Sequence, residues 1–214
     1  VWSKSSTWLQ NKIVGVEGMA LFEAAVADPR GTLLVVPHQG NWEVVGLWVS
    51  KQTAMTSLYE PPKMPALDRW IKSSREQSGA TLVPTDVRGV AALIKALKRG
   101  ETSGILPDQV PTESGGIMAP FMGIPARTMT LVTNLVQRAH CQVLLCAAIR
   151  EPGGWRLHFL PASEAVFSDQ QEVAVAALNT DVERLVALAP EQYQWEYKRF
   201  RAQPDGRQYY AKST

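Results

Sequence analysis

The sequence predicts an α/β fold, a single domain with a mostly parallel central sheet flanked by helices. Three observations carry the prediction. Short apolar runs such as Thr32 to Val36 and Thr102 to Leu106 have the length of buried strands. They alternate with segments of helical periodicity such as Pro65 to Ser78 and Val87 to Arg99, each closed by a glycine, Gly79 and Gly100. The chain has 214 residues, 45% hydrophobic and 20% charged, which suits one globular domain with a sizeable core.

Residues 1 to 12 carry Trp2 and Trp8 among Ser, Thr and Lys. That composition fits either a surface helix packing its tryptophans on the core or a segment at a membrane surface. Residues 16 to 27 read as helix through Met19, Leu21, Phe22 and Val26, ended by Asp28-Pro29-Arg30-Gly31. The first strand is Thr32 to Val36. The turn Pro37-His38-Gln39-Gly40 leads to a helix from Glu43 to Lys51.

A strand around Thr53 to Leu58 follows, then a break at Tyr59-Glu60-Pro61-Pro62-Lys63 and the helix Pro65 to Ser78. The strand Ala80 to Pro84 leads to the helix Val87 to Arg99 and the strand Thr102 to Leu106. Val110 to Gly123 reads as a long polar loop. A helix from Arg127 to Ala139 comes next. Gln142 to Arg150 and Trp155 to Pro161 form a hairpin through Glu151-Pro152-Gly153-Gly154. Asp169 to Leu188 is a patterned helix, and Pro190 to Arg201 closes the fold before a polar tail. No repeat and no second domain are evident.

Composition excludes several functions. A net charge of +2 gives no footprint for nucleic acid. Two cysteines, Cys141 and Cys146, lie in an apolar run and read as buried thiols rather than a disulfide framework or a zinc site. No run of about 18 apolar residues marks a membrane span. No Walker loop, dinucleotide fingerprint or Gly-x-Ser-x-Gly motif is present, and neither a metal nor a cofactor is expected. His140 and His158 flank strand-like runs and read as structural.

The chemistry concentrates at Pro37 to Glu43. On one continuous helix, five residues turn through about 500°, so His38 and Glu43 would not meet. A turn at Gln39-Gly40 removes that objection, because Gly40 can adopt positive φ. Asn41 is then placed to cap the helix, with Glu43 in its first turn. Glu43 is expected to accept a hydrogen bond from one ring nitrogen of His38, leaving the other to take a proton. His-x4-Glu alone has little specificity. Ligands in such sheets sit outside the carboxyl ends of parallel strands. Asp108 and Gln109 follow one such end, and Arg75 and Arg88 are placed to frame the same crevice. An imidazole, two carboxylates and arginines suit an anionic substrate bearing a hydroxyl.

The full string His38-x-Gly40-Asn41-Trp42-Glu43 resembles the active-site block of the bacterial lipid A biosynthesis acyltransferases, within the glycerolipid acyltransferase superfamily and its His-x4-Asp/Glu signature. The resemblance runs on through four further blocks in order. Arg75-x3-Gly79 looks like the second. Val87-Arg88, Leu97-Lys98-x-Gly100 and Leu106-Pro107-Asp108-Gln109 look like the third. Pro120-Phe121-Met122-Gly123-Ile124-Pro125-Ala126 resembles the Phe-Gly-x-Pro-Ala block, beside the candidate Arg127. Tyr193-x-Trp195-x2-Lys198-Arg199-Phe200 and Pro204-x-Gly206 match the last. One departure is Tyr59-Glu60-Pro61, where the family often has Tyr-Arg-Pro. An anion there replaces a cation near the expected acceptor cleft, with Lys63 nearby as a substitute charge.

The resemblance implies a glycerolipid acyltransferase-like fold over residues 1–214 and direct acyl transfer. His38 would be the general base and Glu43 its orienter. Asn41, Arg75, Arg88, Asp108, Gln109 and Arg127 would contact substrate, and backbone N–H groups near the turn would hold the oxyanion. The implied donor is an acyl carrier protein thioester, with acyl-CoA as the alternative. The implied acceptor is a lipid A precursor at the cytoplasmic face of the cell inner membrane. An upstream anchor common in the family is not expected within this chain. The membrane side would be marked by Trp2, Trp8, Lys198, Arg199, Arg201 and Arg207, with Tyr209 and Tyr210. The rival functions are transfer to another lysolipid or glycolipid, a thioesterase in which water replaces the hydroxyl, and a non-catalytic lipid-binding protein. Retention of both His38 and Glu43 argues against the last.

Overall fold

The computed structural model describes residues 1, 4–62, 64–77 and 79–210; Trp2, Lys63 and Ser78 lie outside the described residues. Chain order is α1 (Ser6–Gln10), β1 (Ile13–Glu17), α2 (Met19–Ala27), β2 (Thr32–Val35), α3 (Trp42–Gln52), β3 (Met55–Tyr59), α4 (Pro65–Gln77), β4 (Ala80–Pro84), α5 (Val87–Lys98) and β5 (Thr102–Ile105). Then come β6 (Gly116–Phe121), β7 (Ile124–Met129), α6 (Leu131–Ala139), β8 (Gln142–Glu151), β9 (Gly154–Pro161) and α7 (Gln171–Val186).

Among the described residues the main sheet has seven strands in the order β1-β9-β8-β2-β5-β3-β4. Only β8 and β9 pair antiparallel, through the expected hairpin in which Glu151 faces Gly154. The other pairs are parallel. All four residues of β2 are buried, because helices cover both faces of the sheet. Leu33, Val35, Leu93, Leu97, Leu135 and Leu185 form the core on the side of α5, α6 and α7. Phe22, Leu34, Val36, Val44, Trp48 and Phe159 form it on the side of α2 and α3. Alternate residues of β2 thus serve opposite cores, as the strand period of two requires.

The α5 boundary shows the local rules at work. The Asp86 carboxylate accepts from the backbone N–H of Arg88 at 2.9 Å and Gly89 at 3.0 Å. Two orphan helix donors are thereby satisfied. Cys141 and Cys146 are buried and unbridged. Loss of solvation pushes the Cys141 thiol up to about 11 and Cys146 well above its usual value, so neither is a nucleophile at neutral pH.

Three segments differ from the sequence reading. Ile13–Glu17 is a strand, and α2 begins only at Met19. As an edge strand it is half exposed, so its apolar period is weak. Gly18 makes the junction at φ 77°, where a Cβ would lie 2.2 Å from the Phe159 carbonyl oxygen. The expected loop 110–123 contains β6, and the expected helix start at Arg127 lies within β7. These two strands form a separate antiparallel ribbon turning through Met122 and Gly123, both with positive φ. Pro120 and Pro125 sit opposite each other on it and suppress a strand reading, although an isolated ribbon tolerates proline at its outer edges.

The third segment is the C-terminal stretch, which is irregular yet holds a buried cation. Arg199 is 4% exposed. Its guanidinium donates to the Arg127 carbonyl and to Thr128 Oγ1, the latter at 2.8 Å, and lies over the Phe121 ring. It therefore belongs to the packing of the ribbon and not to a basic surface. Arg199→Ala should destabilise the fold by about 2–4 kcal/mol, since hydrogen bonds from a charged donor are lost in a buried place. Urea denaturation checks this; a change below about 0.5 kcal/mol, typical of surface sites, would contradict it.

Candidate active site

β2 and β5 are adjacent and parallel, with Val35 beside Ile105. His38 and Asp108 each lie three residues beyond that pair, so sheet register brings them together at the carboxyl edge. The Asp108 carboxylate takes two hydrogen bonds from His38, one from the backbone N–H and one at ring Nδ1, both 2.9 Å. Asp108 is 4% exposed. Burial first, and the nearby Asp108 carboxylate next, push the ionisation of the Tyr193 phenol far above the usual range. An ionised carboxylate only accepts, so Nδ1 carries the proton and Nε2 presents its lone pair. The Gln109 side-chain amide lies 3.2 Å from that Nε2.

The expected hydrogen bond from His38 to Glu43 is not made. Asp108 occupies Nδ1, and Glu43, in the first turn of α3, receives Arg75 from α4 instead. Arg75 binds both Glu43 oxygens, with Nε 3.3 Å from Oε2. The guanidinium lies over the Trp42 and Tyr59 rings at 5.6 and 5.3 Å. The fork geometry and the flanking rings fix its orientation.

The turn itself is braced from two sides. Gly40 has φ 61°, and a Cβ there would come 2.1 Å from the Ala148 carbonyl oxygen, so glycine is required. Gly40 N–H donates to Gln192, Asn41 N–H to Ala148 and Gln39 N–H to Pro37, while Gln194 N–H donates to His38. With His38 N–H on Asp108, the turn's N–H groups from 38 to 41 are all committed. Those four N–H groups are therefore not open to an oxyanion. Asn41 occupies the N-cap of α3 but makes no side-chain cap.

His38, Glu43, Arg75 and Gln109 line one cavity of about 530 Å³ with an otherwise largely apolar wall. Arg88 and Arg127 do not line it. Arg88 turns outward, 86% exposed, to the N-cap Asp86, the nearest charge on its own helix end. Arg127 sits on β7 and reaches Glu113 at 3.9 Å. Glu60, the departure from the family string, lines the cavity and accepts from Thr85. Sequence reasoning missed Tyr193 as a group that feels the Asp108 charge. Its place in the last matched block was the one available signal.

The sequence profile described as bacterial lipid A biosynthesis acyltransferase matches residues 1–202. The chain belongs to that family. Among relatives of this acyltransferase family, a lipid A biosynthesis lauroyltransferase of Escherichia coli K12 is 29% identical over 195 residues, covering 89% of this chain and 63% of its own length. A lipid A biosynthesis palmitoleoyltransferase of the same strain is 28% identical over 196 residues, with 89% and 62% covered. A phosphatidylinositol mannoside acyltransferase of Mycobacterium tuberculosis is 23% identical over 181 residues, with 83% and 56% covered. The family member described here thus spans somewhat less than two thirds of these relatives.

Proposed function

We propose that the chain transfers a fatty acyl group from an acyl thioester to a hydroxyl of a lipid A precursor. The observation that carries the proposal is the His38–Asp108 pair at the edge of an apolar cavity. His38 Nε2 takes the proton of the acceptor hydroxyl. The oxygen attacks the thioester carbonyl carbon, and the carbonyl electrons move to oxygen. When that intermediate collapses, the C–S bond breaks and the imidazolium proton passes to the leaving sulfur. An ester and a thiol result, with no covalent enzyme intermediate.

Asp108 holds the tautomer and stabilises the imidazolium. Glu43 acts one step away from His38 by fixing Arg75 on the cavity wall. Gln109 covers Nε2 before substrate arrives; once a hydroxyl takes that place, its amide is available to donate to the oxyanion. The apolar wall receives the acyl chain, whose burial is favourable at about 0.8 kcal/mol per methylene.

The donor we favour is an acyl carrier protein thioester. A lipid acceptor would be met at a membrane surface, and the cytoplasmic face of the inner membrane is the surface we propose. No helix among the described residues is long and apolar enough to cross a membrane. Mass spectrometry after incubation with acyl carrier and CoA thioesters and a panel of lipid acceptors tests the reading. Acylated lipid A precursor is the expected product. Free fatty acid alone would replace it with hydrolysis, and acylation only of another lipid would replace the acceptor.

A further inference from the structure

The cavity floor follows the strand period. Met55, Ser57 and Tyr59 of β3, Ala80 and Leu82 of β4, and Gly104 and Leu106 at β5 are alternate residues on the α3 side of the sheet. Several are small, and the space they leave is the cavity. Its roof includes Gly46, in the middle of α3.

Gly46 has no packing reason to be glycine. A Cβ built there meets nothing within 4 Å, and φ is not positive. Gly89 in α5 is the contrast, since a Cβ there would lie 1.7 Å from the Pro84 carbonyl oxygen. A mid-helix glycine is about 1 kcal/mol less favourable than alanine. Gly46 bears that disadvantage while facing empty space that any side chain would begin to fill.

Depth can be read from the strands. Tyr59 lies toward the His38 edge and Met55 at the far end, four residues or about 13 Å away. With bonds of about 1.5 Å, an extended alkyl chain advances about 1.25 Å per carbon, so about ten carbons fit that span. Gly46 is four residues into α3 from Trp42, about 6 Å along the helix and so near mid-depth. At the corresponding depth of the floor, Gly104 pairs with Ser57. The Met55 side chain rises from the far end toward that level, where its terminal methyl would be 2.9 Å from a Cβ on Gly104.

We propose that Gly46 determines the acyl chain length this protein accepts, with Met55 as the end-stop of the slot. The inference rests on reading the cavity as the acyl site. A side chain at 46 would close the lower half of the slot, and removing the Met55 side chain would deepen it.

The test uses two readouts on the same purified chain. One is transfer from saturated acyl thioesters of increasing even carbon number. The other is displacement of a fluorescent fatty acid by free fatty acids of the same series. Gly46→Leu should move both optima to chains about four or five carbons shorter, half the slot depth at that advance per carbon. Met55→Ala should move both optima to longer chains. Gly46→Ala, whose methyl meets open space, should remain folded and shift the optimum in the same direction as leucine; it carries the test if the leucine variant does not fold. Unchanged length profiles in a folded Gly46 variant would overturn the proposal. Length-dependent binding that shifts as expected, without transfer to any acceptor, would retain the slot and reject the acyltransferase reading. Transfer with an unshifted profile would do the reverse.

Discussion

Asp108→Asn is expected to reduce acyl transfer by about 10²–10⁴-fold, as much as His38→Ala, with little change in KM. The cause is the tautomer. An asparagine amide can face Nδ1 with an N–H, which leaves the proton on Nε2, where the hydroxyl must be received. Asparagine still offers an oxygen to the His38 backbone N–H, a contact that is 2.9 Å in the native arrangement. The fold should therefore persist, as thermal unfolding followed by circular dichroism would record. Tyr193→Phe removes only a neutral hydroxyl near Asp108, an interaction of about 1 kcal/mol at most, so its effect should stay within about tenfold. Near-normal turnover by a folded Asp108→Asn variant would show that Asp108 does not orient the base.

This pairing also shows where sequence reasoning stops. Both strand-end positions, His38 and Asp108, are legible from apolar runs followed by Pro and polar residues. Their adjacency is not, because it depends on sheet order. The chain leaves β2, forms α3 and lays down β3 one place too far, and β5 later fills the gap beside β2. Nothing local in the sequence states that order. Proximity in sequence favoured Glu43 as the histidine's partner, whereas the helix start directs Glu43 toward Arg75 of α4. Local signals did succeed where one interaction decides the outcome. Gly40 at positive φ, the breaks at Gly79 and Gly100, and the hairpin at Pro152-Gly153 are of that kind. The ribbon of β6 and β7 was hidden by its two prolines. Arg199 reads as one of several tail cations until tertiary packing buries it.

Arg75→Met should lower stability by about 2–3 kcal/mol and also depress transfer, because it strands a carboxylate. The Glu43 side chain is 8% exposed and the Arg75 side chain 19%, so water repays only part of the lost pairing. Glu43→Gln should be milder, since an amide oxygen still accepts from the guanidinium. The two residues then behave as one unit. The double variant Glu43→Gln/Arg75→Met should be no less active than Arg75→Met, and more stable than the sum of the single effects predicts by about 1–2 kcal/mol. Urea denaturation and kcat/KM on the four proteins of the cycle give both numbers. Glu43→Ala supplies the decisive comparison with Asp108→Asn. If Glu43 works through Arg75, its loss should add little once Arg75 is already methionine. A further hundredfold fall on removing Glu43 from the Arg75→Met background would instead place its carboxylate in direct service of His38.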